Sequence, residues 1–246
     1  MSMIPDNRRS GAARRCLLGL LLVPLAWAAG NLSAIAGDAA MPVPSAVLDE
    51  PAQPGAVAET AVLAGGCFWG VQAVFQHVKG VRQAVAGYAG GRQETAQYQT
   101  VSAGGTGHAE SVEVTFDPAI VSYGTLLRVY FSVAHDPTEL NRQGPDTGTQ
   151  YRSAIFARDA AQRRVAEAYI AQLDKAGSFP RRIVTQVNDL TGFYPAEAYH
   201  QNYATLHPDN PYIAYNDLPK LEALQRLFPD LYAATPVLAV ITRPQG

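Results

Sequence analysis

The 246-residue sequence is poor in cysteine, with only Cys16 and Cys67. Two cysteines so far apart offer neither a disulfide framework nor the paired spacing of a cysteine metal site. Histidine is also sparse: His77, His108, His135, His200 and His207 are scattered, and there is no HExxH helix. Each reads as a polar surface or hydrogen-bonding residue rather than a ligand, so no metal is expected. Charged residues make up 16% of the chain and the formal net charge is -2, which gives no reason to propose a nucleic-acid partner. No internal repeat or phosphate-cradling Walker loop is present. What remains is an ordinary globular composition, 48% hydrophobic, with a length that allows one or two domains.

Residues 1–36 read as an export signal. Arg8, Arg9, Arg14 and Arg15 form a basic start, and an apolar stretch runs from Cys16 to Ala29. Ala26-Trp27-Ala28 and Ala34-Ile35-Ala36 fit small-x-small cleavage sites. The stretch is short for a membrane span of roughly 20 residues and is interrupted by Pro24; an uncleaved anchor is the competing reading. Export, with the periplasm as destination, places the protein in an oxidising compartment where Cys67 would be the sole thiol of the mature chain. Residues 37–58 are rich in Ala, Pro, Asp and Glu without periodicity and read as a disordered linker. A folded domain is expected over 59–234, followed by an unassigned tail at 235–246.

The chain is organised around Gly65-Gly66-Cys67-Phe68-Trp69-Gly70. Ala61-Val62-Leu63-Ala64 reads as a buried strand leading in. Val71, Val74, Phe75 and Val78 fall at helical spacing on the far side. Cys67 therefore sits at a strand-to-helix junction, where the helix dipole favours an anion and should ease ionisation of the thiol. Phe68 and Trp69 either wall a pocket for a small apolar group or belong to the core; spacing does not separate the two.

Further along, Val81 to Tyr88 reads as a strand and Gly90 to Gly107 as a long loop. His108 to Phe116 alternates as a strand, which puts Glu110 on the face of Val112, Val114 and Phe116. Desolvation there would raise the carboxyl above about 4.3; a strand-end position reaching water is the equal alternative. Ser122 caps a helix reaching Ala134, and His135 to Gln150 is a second long loop. Tyr151 to Ala157 is a strand, Asp159 caps a helix to about Lys175, and Ile183 to Val187 is a strand. Helices are expected from Pro195 to about Leu206 and from about Pro219 to Phe228. The first six elements run β-α-β-β-α-β. The expected fold is thus α+β, a two-layer α/β sandwich with a ferredoxin-like split βαβ core and C-terminal helices.

Four further stretches accompany the cysteine motif: Thr106-Gly107-His108-Ala109-Glu110; His135-Asp136-Pro137-Thr138 through Asn141-Arg142-Gln143-Gly144; Asp146 with Gly148-Thr149-Gln150-Tyr151-Arg152-Ser153; and Ala198-Tyr199-His200-Gln201-Asn202-Tyr203. Together these resemble the A-type peptide-methionine sulfoxide reductases, which act on the S epimer, over about Ala61 to Leu206. The resemblance implies that Cys67 is the nucleophile and that Glu110 protonates the sulfoxide oxygen. It further implies that Tyr98 and Tyr151 hydrogen-bond that oxygen, that Asp146 orients the site, and that Phe68 and Trp69 hold the methyl group. It implies no cofactor beyond an external thiol, either small or thioredoxin-like. The implied partners are oxidised proteins bearing methionine sulfoxide, and the expected state is a monomer. Two departures stand out. Many members carry recycling cysteines near the C-terminus and this sequence has none after Cys67; and Pro145 stands where an asparagine is common.

The chemistry requires these residue types, since a sulfoxide sulfur is a poor electrophile until its oxygen gains a proton, and a thiolate is the strong nucleophile near neutral pH. The competing readings are a cysteine hydrolase or acyltransferase with His108 or His200 as base, and a non-catalytic exported binding domain with an inert Cys67.

Overall fold

A computed structural model describes residues 40–50 and 58–240; the export-signal region and residues 241–246 lie outside the described residues. Strand β1 (Glu59–Ala64) is followed by helix α1 (Phe68–Gln76) and strand β2 (Val81–Ala89). A short helix α2 (Tyr98–Ser102) precedes strand β3 (Ala109–Phe116). Helix α3 (Tyr123–Val129) runs on as a wider π-helical turn over Tyr130–Ala134. A two-stranded ribbon, β4 (Arg142–Gln143) and β5 (Asp146–Thr147), leads to β6 (Ala154–Ala157) and α4 (Ala160–Lys175). The remainder comprises β7 (Gln186–Asp189), β8 (Phe193–Pro195), α5 (Tyr203–Leu206), α6 (Pro211–Asn216) and α7 (Leu218–Leu227).

One six-stranded sheet has the order β7-β6-β1-β3-β2-β8. β1 lies antiparallel between β3 and β6, and β2 lies antiparallel to β3. The four central strands therefore carry the split βαβ order expected from the sequence. β8 extends the sheet antiparallel to β2, and β7 extends it parallel to β6. β1 is flanked on both sides, which is why its sequence is a continuous apolar run rather than an alternation. β3 alternates as read: Val112, Val114 and Phe116 are fully buried while Glu113 and Thr115 are half-buried. The main core lies on that face, where α1, α3 and α4 cover the sheet. A smaller cluster of Val62, Ala64, Ala89, Ala109, Ala154 and Phe156 lies on the opposite face.

Both predicted caps form: Ser122 Oγ accepts from the Thr125 amide, and Asp159 accepts from the amides of Ala161 and Gln162. Several expectations are corrected. The helix expected over Pro195 to Leu206 is instead the end of β8, a 3-10 turn at Ala198–His200, and the four-residue α5. The strand expected at Ile183 to Val187 forms three residues later, as β7. The two long loops contain α2 and the β4–β5 ribbon, and α6 was not foreseen. The start of the tail left unassigned at 235–246 binds the far end of α1: the Val237 amide donates to the Gln76 carbonyl, next to the bond from the Ala233 amide to the His77 carbonyl.

Residues 40–50, expected to belong to a disordered linker, are packed on the domain. Val43 is buried, and its carbonyl accepts from Arg128 Nε at 2.9 Å. Tyr169 donates to the Pro44 carbonyl at 2.5 Å. Asp49 accepts from the Ser122 hydroxyl at 2.5 Å and from the Gly124 amide at 2.7 Å, so it supplies the first turn of α3 with an acceptor. Asp49→Ala removes both bonds and should lower stability by about 1–2 kcal/mol. Urea denaturation of the two proteins checks this, and an unchanged midpoint would show that the segment is not energetically coupled to the domain.

Candidate active site

β1 delivers the chain to Gly65-Gly66, and Cys67 takes the N-cap position of α1. Gly66 has φ of +90°, and a Cβ there would fall 2.6 Å from Gln143 Cβ. A Cβ on Gly65 would fall 2.9 Å from His135 Cγ. The paired glycines thus serve two needs: one left-handed residue, and close passage of the 135–143 segment. That segment is anchored behind the site by a buried network in which His135 Nε2 meets Ser153 Oγ at 2.6 Å and Tyr130 donates to the Ala64 carbonyl at 2.7 Å. Burial pushes His135 down to about 3, so it is a neutral structural group at working pH.

Glu110 enters the site from β3. It is 2% exposed, which decides between the two sequence readings in favour of the desolvated one. Its Oε2 accepts from the Phe68 amide at 3.0 Å, so one of the unpaired donors of the α1 N-terminus is used here. Burial pushes the Glu110 carboxyl up to about 8; the Phe68 amide opposes this and the Asp146 charge adds to it. The group is therefore mainly a neutral acid at pH 7, with an acceptor satisfied by the helix and a proton to give.

Cys67 behaves differently from expectation. The helix N-terminus was expected to ease its ionisation. Instead burial raises the thiol well above its ordinary range, and the carboxylates of Glu110 and Asp217 raise it further. The Trp69 amide pulls the other way and is outweighed. Desolvation wins because a helix of nine residues supplies only a partial charge at its end, whereas the protein packed around the half-buried Cys67 takes much of the water from its sulfur.

The structure brings Tyr98, Tyr151 and Asp146 to the same place. Burial raises both tyrosine hydroxyls, and the charges of Glu110, Cys67 and Asp146 reach each of them. All three residues are half-buried. Tyr98 is positioned from its backbone, whose amide donates to Glu197 Oε1 at 2.9 Å. Tyr151 lies in a 3-10 turn fixed by Arg152, which donates to the Gly107, His108 and Thr149 carbonyls. Asp146 is raised by burial and is held by the Tyr212 hydroxyl. The two aromatics beside Cys67 divide: Phe68 is buried against Tyr88 and His200, while Trp69 is half-buried and stacks on Tyr203 with centroids 4.0 Å apart.

Neither candidate base of a hydrolase meets Cys67. His108 Nε2 lies 3.0 Å from the Arg92 carbonyl. His200 Nδ1 accepts from Trp69 Nε1 at 3.2 Å, and burial keeps this imidazole below its ordinary range. Sequence reasoning missed Tyr212, Glu197, Asp217 and Lys220, and gave Tyr203 no role beyond its place in a motif stretch. One signal was present: Asn210-Pro211 is a cap followed by proline at the first helical position, and it announces α6 and hence Tyr212.

Comparison with known proteins gives one consistent result. The family model described as peptide methionine sulfoxide reductase matches residues 59–231. A Mesorhizobium japonicum protein named peptide methionine sulfoxide reductase MsrA 2 is 61% identical over 193 residues, covering 78% of this chain and 98% of that protein. A Synechocystis protein of the same name is 54% identical, covering 70% of this chain and 80% of that protein. Among solved structures, reduced Mxr1 from Saccharomyces cerevisiae is similar with a TM-score of 0.56 and 32% identity, covering 63% of this chain and 89% of that one. Methionine sulfoxide reductase A of Corynebacterium diphtheriae has a TM-score of 0.53 and 34% identity, covering 69% and 84%.

The raised Glu110 carboxyl has a consequence for stability. Its folded-state pKa of about 8 exceeds the ordinary 4.5, so the folded state binds the proton more tightly. The associated stability is fully present below pH 4.5 and is lost as pH rises through about 8. Glu110→Gln removes that linkage. Its stability relative to wild type should increase steadily between these limits, which chemical denaturation at pH 4.5, 7 and 9 would measure. A constant difference across that range would mean that Glu110 ionises normally.

Proposed function

The chain belongs to the peptide methionine sulfoxide reductase family, and from that premise we propose how its residues share the work and how the enzyme is recycled. It is an oxidoreductase that reduces methionine sulfoxide. The observation that carries the proposed mechanism is the neutral, buried Glu110 held on the Phe68 amide, one residue from Cys67.

The substrate is the S epimer, in oxidised proteins or as the free amino acid. Phe68 and Trp69 hold the methyl group on sulfur. The sulfoxide oxygen lies toward Glu110, Tyr98 and Tyr151, and Asp146, held by the Tyr212 hydroxyl, helps orient the site. Cys67 Sγ attacks the sulfoxide sulfur as Glu110 protonates the oxygen. The oxygen leaves on Sγ, methionine departs as a thioether, and the thiol's proton restores Glu110. Sulfur of the substrate is reduced by two electrons, and Cys67 is oxidised to a sulfenic acid.

The second half of the cycle uses an external thiol. The sequence has no cysteine after Cys67, and Cys16 lies in the expected export signal. One thiol therefore condenses with the sulfenic acid to give a mixed disulfide and water, and a second thiol releases Cys67 as a thiol. A thioredoxin-like exported domain or a small thiol fits this role. The basic start and apolar stretch of residues 1–36 support export to the periplasm, where the enzyme would repair proteins after oxidation.

Two measurements test the assignment of roles. With excess dithiothreitol, a peptide carrying racemic methionine sulfoxide should be converted to about half and no further, because one wall takes the methyl and the other the oxygen; complete conversion would remove the basis for these roles. Glu110→Gln should slow reduction by about 10²–10⁴-fold, the usual cost of losing a general acid. A near-normal rate at pH 7 would show Glu110 to be a bystander.

A further inference from the structure

Asp217 is a buried carboxylate that the reaction described above does not use. It is 2% exposed, and its Oδ2 is buried without a hydrogen-bond partner among the described residues. Only Oδ1 is engaged, by Lys220 Nζ at 3.4 Å. A carboxylate oxygen left unpaired in the interior is costly, and native structures seldom retain one without a reason.

Its position supplies the reason. Gly70 is the third residue of α1 and Cys67 is the N-cap. In a helix start these two positions share a side, which is how an N-cap side chain reaches the third amide. A Cβ on Gly70 would fall 2.7 Å from Asp217 Cγ and 3.0 Å from Lys220 Nζ. The Asp217 carboxyl thus fills the space that a side chain at position 70 would occupy, beside the nucleophile. The start of α7 brings it there, and its charge raises the half-buried thiol.

We propose that Asp217, steadied by Lys220, is a positioning residue that holds Cys67 in the thiol form in the resting enzyme. The inference rests on Cys67 being the nucleophile. The thiolate is the form that peroxides and stray disulfides attack. In an oxidising compartment, a sole thiol that ionised freely would be consumed before it met substrate. The Asp217 carboxylate opposes that ionisation; burial raises its own carboxyl, and the Lys220 ammonium beside it pulls the other way.

Burial and Glu110 raise the thiol ahead of Asp217, and Asp146 adds to them; Asp217 differs from Glu110 in the charge it carries near neutrality. Glu110, from β3, is mainly protonated up to about pH 8 and carries little charge below it. Asp146, from β5, is tied to the Tyr212 hydroxyl of α6. The hydroxyls of Tyr98, Tyr151 and Tyr212 are all raised and stay neutral. His135 behind Gly65 is uncharged, and His200 is bonded to Trp69. Lys220 lies 3.4 Å from Asp217, and its charge also reaches Asp146 and His135.

The test is the pH dependence of iodoacetamide alkylation at Cys67, read by peptide mass spectrometry in the full chain so that Cys16 is scored separately. Asp217→Asn should move the midpoint down by about one pH unit, and speed alkylation at pH 7 about tenfold. The freed Lys220 ammonium acts in the same direction. Peroxide should oxidise Cys67 of the variant faster by a similar factor. Asp217→Ser, with a side chain favoured at helix starts, should give the same shift and guards against a folding defect in the first variant. A profile that superimposes on wild type, or moves up, in a variant with an unchanged melting temperature overturns the proposal. Alkylation does not depend on sulfoxide turnover, so failure of the reductase mechanism would appear separately, as absent turnover in wild type.

Discussion

The bond from the Phe68 amide to Glu110 is the interaction on which the rest of the site depends. It joins the first turn of α1 to the third strand of the sheet at 3.0 Å, in a place where Glu110 is 2% exposed. Two opposing effects meet in it. Burial alone would make a carboxyl a poor tenant of the interior, while an unpaired helix amide beside it would be equally costly. Each satisfies the other, and the result is an acid that keeps its proton near neutrality next to a thiol. The geometry follows from β1 and β3 being hydrogen-bonded neighbours, from Gly66 reversing the chain at φ +90°, and from Glu110 sharing a strand face with Val112.

The site is closed by chain that lies far away in sequence. Gln201 donates to the Ala86 and Ala196 carbonyls and accepts from the Ala86 amide and Gln72. Asn202, in the left-handed region at φ +59°, binds Gln76 and the backbone of Ala239. These bonds make α1 buried on nearly every side, so Gln72 and Gln76 are interior polar residues with their partners supplied. With α1 fixed, α6 places Tyr212 on Asp146, and α7 places Asp217 beside Gly70.

What could be read from the sequence was what is local. The continuous run of β1, the alternation of β3, the caps Ser122 and Asp159, and the strand-to-helix junction at Cys67 each express a short-range rule, and together they led to the sheet order of the core. The cysteine motif and its companion stretches pointed to the residues that now converge. The segment after Pro195 was misread because its elements are very short and take their shape from side-chain bonds to α1 rather than from propensity; Asn202 in a left-handed conformation broke what looked like a helix. Residues 40–50 lack periodicity, yet Val43 and Asp49 are held by partners in α3 and around it. The thiol's proton affinity was reversed for the same reason: a helix terminus is visible in sequence, but the partial burial of Cys67 and the charges of Glu110 and Asp217 are tertiary facts.

Cys67 alone carries the oxygen away in the proposed cycle, and its recycling comes from outside the chain. A single turnover measures this most directly: one equivalent of methionine-(S)-sulfoxide peptide, no reductant, and dimedone added to label a sulfenic acid. One methionine should be released per chain, with dimedone on Cys67 that is lost when a small thiol is added first. Release of more than one methionine per chain, or an unlabelled Cys67 crosslinked to another residue of the chain, would contradict this cycle.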